Sequence, residues 1–262
     1  MRSLTSLRKS DRPSAEQLRA FWDRYRHLVE PLLHFIPNST AEERKTKAAD
    51  IALLGRFQSL GDNCEFGLVQ RQLGAEPLGL FRFAHTMIDG LIAAFESRFV
   101  ALQSCENIEV RYAEFPNGEF VYVTAVPQYQ FNTYSGHQSA TMNLDELRNK
   151  EMKRLTFLAR TLIEDAEAGN KIFVYKSNLP IAEQRIADLH GAIRRYGPSW
   201  LLWVTPATAD WPAGRVEKVS ERLMRGSIER FAPYEDAGCF FLEGWRTICA
   251  NAYDLHAPRR PR

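Results

Sequence analysis

The sequence predicts an α/β fold: a mixed sheet with a C-terminal βαβ unit, flanking helices and an N-terminal helical extension. Three patterns carry that expectation. KIFVYK and SWLLWVTPA are short apolar runs separated by PIAEQRIADLHGAIRRY, an amphipathic helical segment stopped by Gly197-Pro198. Strand, helix, strand in that rhythm implies parallel pairing through a crossover. IEVRYAEF and EFVYVTAV alternate apolar and polar residues on either side of Pro116-Asn117-Gly118, the clearest hairpin signal in the chain. Long helical periodicity over about 144–168, closed by Gly169, supplies a covering layer.

In order along the chain, residues 1–14 read as a polar, disordered tail. Ser14 can cap a helix over roughly 15–35, where Leu18, Phe21, Trp22, Tyr25, Leu28, Val29 and Leu32 recur at helical spacing. Pro37-Asn38-Ser39 breaks it, and the charged connection AEERKTKAAD completes an extension over 15–50. The main α/β domain then spans 51–255, with 256–262 as a basic tail. Its first part is an apolar candidate strand (Ile51 to Leu60), a tight loop and a helix ending at Gly74. That helix has Asp62 or Asn63 as N-cap, Glu65 in its first turn where a carboxylate suits the dipole, and Gly74 at C′. A further helical pattern covers 86–102, QFNTYSGHQS reads as loop, SIERF as a short strand, and FLEGWRTICANAY as the last helix.

Composition narrows the function classes. Lys and Arg total 34 against 32 Asp and Glu, so the formal net charge of +2 gives no field that would suit nucleic acid. The cysteines Cys64, Cys105, Cys239 and Cys249 form no CxxC pair, which argues against a zinc knuckle, a redox pair or a disulfide framework. No run approaches the length of a membrane span, and the start lacks the apolar core of a secretory signal. A soluble, cytoplasmic protein with reduced thiols is expected. Phosphate loops of the GxGxxG or GKS/GKT kind are absent, nothing has metal-ligand spacing, and no cofactor is expected.

Chemistry concentrates in FQSLGDNCEFGLVQRQLG, where Cys64 stands at the first turn of a helix behind Gly61-Asp62-Asn63. Free N–H groups and the dipole at such a terminus favour a thiolate, and the loop can present donors to a developing oxyanion. The other reading is a small apolar residue packed under a cap. Asn63 and the backbone around Cys64 are candidate oxyanion donors, with the Gln58 amide a second one. A nucleophilic thiol also needs a base, and the base an orienting group. Of the six histidines, His27, His34 and His190 fall in helical patterns and His256 in the tail. That leaves His137, in a polar loop freed by Gly136, as the expected base, with His85, which has Asp89 one helical turn on, as its rival. Asn178, at the end of a predicted strand, is the candidate orienter.

SLGDNCEFGLVQRQLGAEPLGLFRF resembles the opening motif of a bacterial family of unknown function whose members are described as papain-like cysteine peptidases. Ser59, Leu60, Gly61 and Cys64 match at the family's spacing, and Phe81-Arg82-Phe83 occupies its aromatic loop position. The similarity runs from about 52 to 178. It implies a catalytic histidine ahead of a charged helix, the position His137 takes by order. Two features depart from better-characterised papain-like enzymes: Glu65 directly follows the cysteine, and no asparagine–tryptophan pair occurs.

Other residues have structural readings. Asp62 is expected to cap the helix, Glu76 and Arg82 to form an ion pair or hold a polar substrate, and the aromatics Tyr112, Phe120, Tyr122, Tyr129, Phe131 and Tyr134 to pack as core or stack on sugar. The leading expectation is a cysteine-dependent hydrolase or acyl-transfer enzyme acting on a peptide, thioester or small amide. The alternative is a non-catalytic α/β module associated with polysaccharide or glycan assembly, since proteins resembling this chain have been linked with glycosyltransferase domains.

Overall fold

Strict alternation of two buried faces along the parallel strands organises the molecule. In the computed structural model, residues 41–114, 120–134 and 143–256 are described. The 15–35 helix, the hairpin turn Pro116-Asn117-Gly118, His137 and both tails (1–14 and 257–262) lie outside them. The chain divides into two units, Met1–Lys45 and Thr46–Arg262, and both sheets belong to the second.

Helix α1 (Ala41–Leu54) leads into strand β1 (Phe57–Ser59) and helix α2 (Glu65–Gln72). After a loop come β2 (Ala84–Thr86), α3 (Ile88–Glu96), β3 (Glu109–Glu114), β4 (Phe120–Val126) and β5 (Phe131–Tyr134). Helix α4 (Leu144–Ala168), β6 (Ile172–Lys176), α5 (Glu183–Arg194), β7 (Trp200–Pro206), β8 (Val216–Ser220), β9 (Leu223–Ile228) and α6 (Leu242–His256) complete it. The strands form a five-stranded sheet of order β1-β6-β7-β9-β8 and a four-stranded sheet of order β2-β5-β4-β3. The first is parallel except for edge strand β8, and the second is antiparallel throughout. This is the α/β class with the expected β6–α5–β7 unit.

One face of the parallel sheet (Phe57, Ile172, Val174, Leu202, Val204, Met224) packs with Phe66 and Val69 of α2 and Trp245, Ile248 and Cys249 of α6. The other (Phe173, Tyr175, Leu201, Trp203) joins α3, α4 and α5 and the inner face of the antiparallel sheet. Full burial of Phe57 or Phe173 is worth roughly 1.5–3 kcal/mol each.

Several elements depart from the sequence reading for physical reasons. AEERKTKAAD is helix rather than connection, and the apolar Ile51–Leu54 stretch ends that helix, leaving β1 only three residues. The 86–102 helix breaks where Arg98 (φ 52°) and Phe99 (φ 58°) turn left-handed, so that Phe99 packs on Phe81 and Phe95. FNTY is strand β5 rather than loop: Phe131 and Thr133 point inward and the segment pairs on both edges. The last parallel strand starts at Leu223, ahead of SIERF, and the mostly polar β8 was not anticipated. His256 ends α6 against Trp200 and Tyr253 rather than opening a tail. Helix α4 matches its expected bounds: Asn143 Oδ1 accepts from the Asp145 and Glu146 N–H groups, and Gly169 closes it at φ 63°. Among the described residues, no helix is long and apolar enough to cross a membrane.

Candidate active site

The loop from Ser59 to Cys64 is where β1 turns into α2. Leu60 is the last residue to bond the parallel sheet, its N–H donating to the Val174 carbonyl at 2.9 Å. Gly61 (φ 90°) and Asp62 (φ 82°) then reverse the chain in two consecutive left-handed residues. Only glycine fits at 61, because a Cβ there would also run into Thr86 Cγ2. Gly67, one turn into α2, lets the helix approach the Arg82 carbonyl closely.

Left-handed aspartate is costly unless held, and Asp62 is held from several directions. Its Oδ1 accepts from the Tyr234 hydroxyl at 2.9 Å and its Oδ2 from the Asn178 N–H at 3.2 Å. Lys176 Nζ lies 3.4 Å from the same Oδ2. The Asp62 carboxylate therefore does not cap α2, contrary to expectation. Asn63 takes part in that role: its Oδ1 accepts from Glu65 N–H at 3.0 Å, while Cys64 itself occupies the N-cap.

Glu65, next to the cysteine, turns away from it. Its Oε1 accepts from Trp245 Nε1 at 2.8 Å, and its Oε2 sits 3.0 Å from Lys176 Nζ, an ion pair outside hydrogen-bond angles. Lys176, almost fully buried at the end of β6, also donates to Asn178 Oδ1 at 2.6 Å. A buried lysine thus sits between two buried carboxylates, which satisfies charges that would be prohibitive alone.

On the other side of the loop a cleft of about 830 Å³ opens, lined in part by Asn63, Cys64, His85, Arg111, Tyr134 and Tyr234. Burial pushes the Cys64 thiol up to about 11, outweighing the nearby positive charges of Arg71 and Lys176. The helix terminus therefore does not leave a resting thiolate at neutral pH. Burial, together with charge on Cys64, also raises the Tyr134 phenol. Tyr234 is pushed up to about 12 by burial and by its bond to the Asp62 carboxylate.

His85 reaches the cleft from β2. Its Nδ1 lies 2.7 Å from the Asp62 carbonyl, and since a carbonyl only accepts, Nδ1 is the donor; in the neutral imidazole Nε2 then carries the lone pair. The Tyr234 ring packs edge-on against the imidazole, centroids 6.1 Å apart. Asp89, the partner expected for His85, instead pairs with Arg185.

Of the anticipated site residues, Cys64, Asn63 and His85 meet in this cleft. Asn178 lies beneath the loop with its amide committed to Lys176 and, at 2.7 Å, to the Ala232 carbonyl; it orients no imidazole and instead holds Asp62 through its own N–H. Gln58 is likewise no oxyanion donor: its amide hydrogens go to the Leu78 carbonyl (3.0 Å) and Asp165 Oδ2 (3.4 Å). Arg82 and Glu76 form a structural ion pair, with Arg82 also bonded to the Ala75 carbonyl at 2.9 Å. Sequence reasoning missed Lys176, Tyr234 and Arg111. Only Lys176 left a signal, a charge that closes an otherwise apolar strand run. Among the described residues, no group of His, Cys, Asp and Glu could hold a metal ion. Comparison with protein-family models and with curated proteins finds no match to this chain.

Proposed function

We propose that the protein is a cysteine-dependent acyl-transfer enzyme or hydrolase in which Cys64 is the nucleophile and His85 its base. The observation that carries this is the shared cleft of Cys64 and His85, with His85 Nδ1 tied to the carbonyl of Asp62. That bond leaves Nε2 as the acceptor for a proton. It also fixes the ring to the very loop that presents the thiol.

Because the thiol rests protonated, attack and proton transfer are coupled. As Cys64 Sγ bonds to the substrate carbonyl carbon, its hydrogen passes to His85 Nε2 and the C=O electron pair moves onto oxygen. Asn63 Nδ2, buried and without a partner, is the donor available to that oxyanion. Collapse expels the leaving amine, thiol or alcohol, which takes the proton from His85, and leaves an S-acyl Cys64. Water then attacks this thioester, again giving a proton to His85, and releases the acid and the thiol.

The papain-like resemblance supports the thiol chemistry, and peptides, thioesters and small amides are the substrate classes it suggests. The residue it implies as base, His137, is a second candidate lying outside the described residues. The four free cysteines fit a reducing, cytoplasmic setting. The glycan-module alternative draws support from Tyr134 and Tyr234, two exposed aromatics in the same cleft.

The test is intact-mass analysis during incubation with activated acyl donors. The expected result is a transient adduct on Cys64 that forms and clears in the wild type but forms far more slowly in His85→Ala. Equal acylation in both proteins removes His85 from the mechanism, and no adduct at Cys64 with any donor removes the enzyme reading.

A further inference from the structure

The far wall of the cleft is the open face of the antiparallel sheet, and its register fixes which side chains look into it. His85 pairs with Asn132 across β2 and β5, Tyr134 with Val123 across β5 and β4, and Val123 with Arg111 across β4 and β3. Residues directly opposite share a face, so His85, Asn132, Tyr134 and Arg111 all stand on the side away from buried Ala84, Phe131, Thr133 and Val110. All four line the cleft.

Arg111 is unusual among them. Arg71, Arg82, Arg154 and Arg185 all pair with carboxylates. The Arg111 side chain makes no ion pair or hydrogen bond among the described residues, although it lies within the cleft. A second, independent donor belongs to a residue lining the same cleft: Asn63 is more than nine-tenths buried and its Nδ2 is unpartnered. The negative groups nearby are arranged around Arg111 rather than on it. Glu235 lines the same cleft, and Glu109 lines an adjoining groove on the same sheet face.

We infer that the cleft selects acyl substrates carrying a carboxylate a few atoms from the reacting carbonyl, with Arg111 as the anchor for that carboxylate. The inference rests on the proposed thiol chemistry for its meaning but not for its test. A guanidinium matches a carboxylate with two parallel N–H···O bonds, and a free arginine gives up no ion pair to make them. Arg111 and Asn63 then hold the substrate at two points, the carboxylate on the sheet wall and the carbonyl oxygen on the loop wall. Glu235 repels a second negative group and biases the direction in which the substrate lies.

The experiment uses Cys64 as its own reporter. Maleimides bearing a terminal carboxylate, on tethers of two or five methylenes, are compared with the matching carboxamides, and labelling at Cys64 is followed by peptide mass spectrometry. The quantity read is the carboxylate-to-carboxamide rate ratio, referenced to the urea-unfolded chain. On at least one tether the folded wild type should exceed that reference by about tenfold. Arg111→Gln should return the ratio to the reference, Arg111→Lys should recover part of it, and added salt should shrink it. A ratio that is the same in wild type and Arg111→Gln overturns the subsite. His85→Ala should slow both reagents of a pair and leave their ratio intact, so loss of the base reading and loss of the subsite register separately. A folded Cys64 that reacts with none of the reagents overturns both.

Discussion

Beneath the loop that forms one wall of the cleft, Asp62, Glu65 and Lys176 are buried and each is paired; on the sheet wall, His85, Arg111 and Tyr134 stand in solvent, and Arg111 has no ionic partner among the described residues. The two walls treat charge in opposite ways because water treats them differently. A buried carboxylate beside Cys64 is tolerable only if a cation meets it, so Lys176 reaches across from β6 and, with Tyr234 and Asn178, locks the left-handed Asp62 in place. That lock positions the Asp62 carbonyl, which holds His85. A solvated arginine adds little to the fold and is free to meet a ligand. One wall is built for position, the other for recognition.

The sharpest way to break this comparison is to remove one cation from each wall. Lys176→Met leaves two carboxylates uncompensated in the interior and should cost about 3–5 kcal/mol in urea unfolding. Arg111→Gln should change stability by no more than about 0.5 kcal/mol. Equal effects would mean that the buried triad does not hold the loop.

A smaller effect sharpens the account of the turn itself. Gly61→Ala imposes a left-handed conformation on an L-residue and drives a Cβ into Thr86, for a loss of about 1–3 kcal/mol. Adding Thr86→Ser removes the clashing methyl and should recover the steric part of that loss, leaving the backbone part. If Gly61→Ala is neutral by denaturant midpoint, the turn is not fixed as described.

How far the sequence could be read followed from range. Helix α4 was legible to the residue because Asn143 and Gly169 signal its ends locally. The β6–α5–β7 unit was legible because its strands are buried on both faces and read as unbroken apolar runs. Strands β2 and β5 were not, since a segment of three or four residues carries too little periodicity to separate from loop.

The site divided in the same way. Cys64 stood out through the turn and helix around it, and Asn63 through its place beside the thiol. His85 was visible only as a rival, because what recommends it is a bond to a backbone carbonyl 23 residues earlier in the chain. Gln58 and Asn178 were misassigned for the converse reason: their amides are taken by Leu78, Asp165, Lys176 and Ala232, contacts that no local pattern announces. Arg111 required the strand register.

The pairing of Cys64 with His85 is tested most directly by the pH dependence of Cys64 alkylation with iodoacetamide, in the wild type, His85→Ala and His137→Ala. A thiol pushed up to about 11 has little thiolate at neutrality, so unassisted alkylation should climb steadily from pH 8 through 10. Assistance by the imidazole as base adds a second component, a step at lower pH than the thiolate climb. The account predicts that the wild type and His137→Ala share this lower step and that His85→Ala lacks it, keeping only the climb toward 11. Superimposable profiles for wild type and His85→Ala, or a lower step abolished by His137→Ala instead, would contradict it.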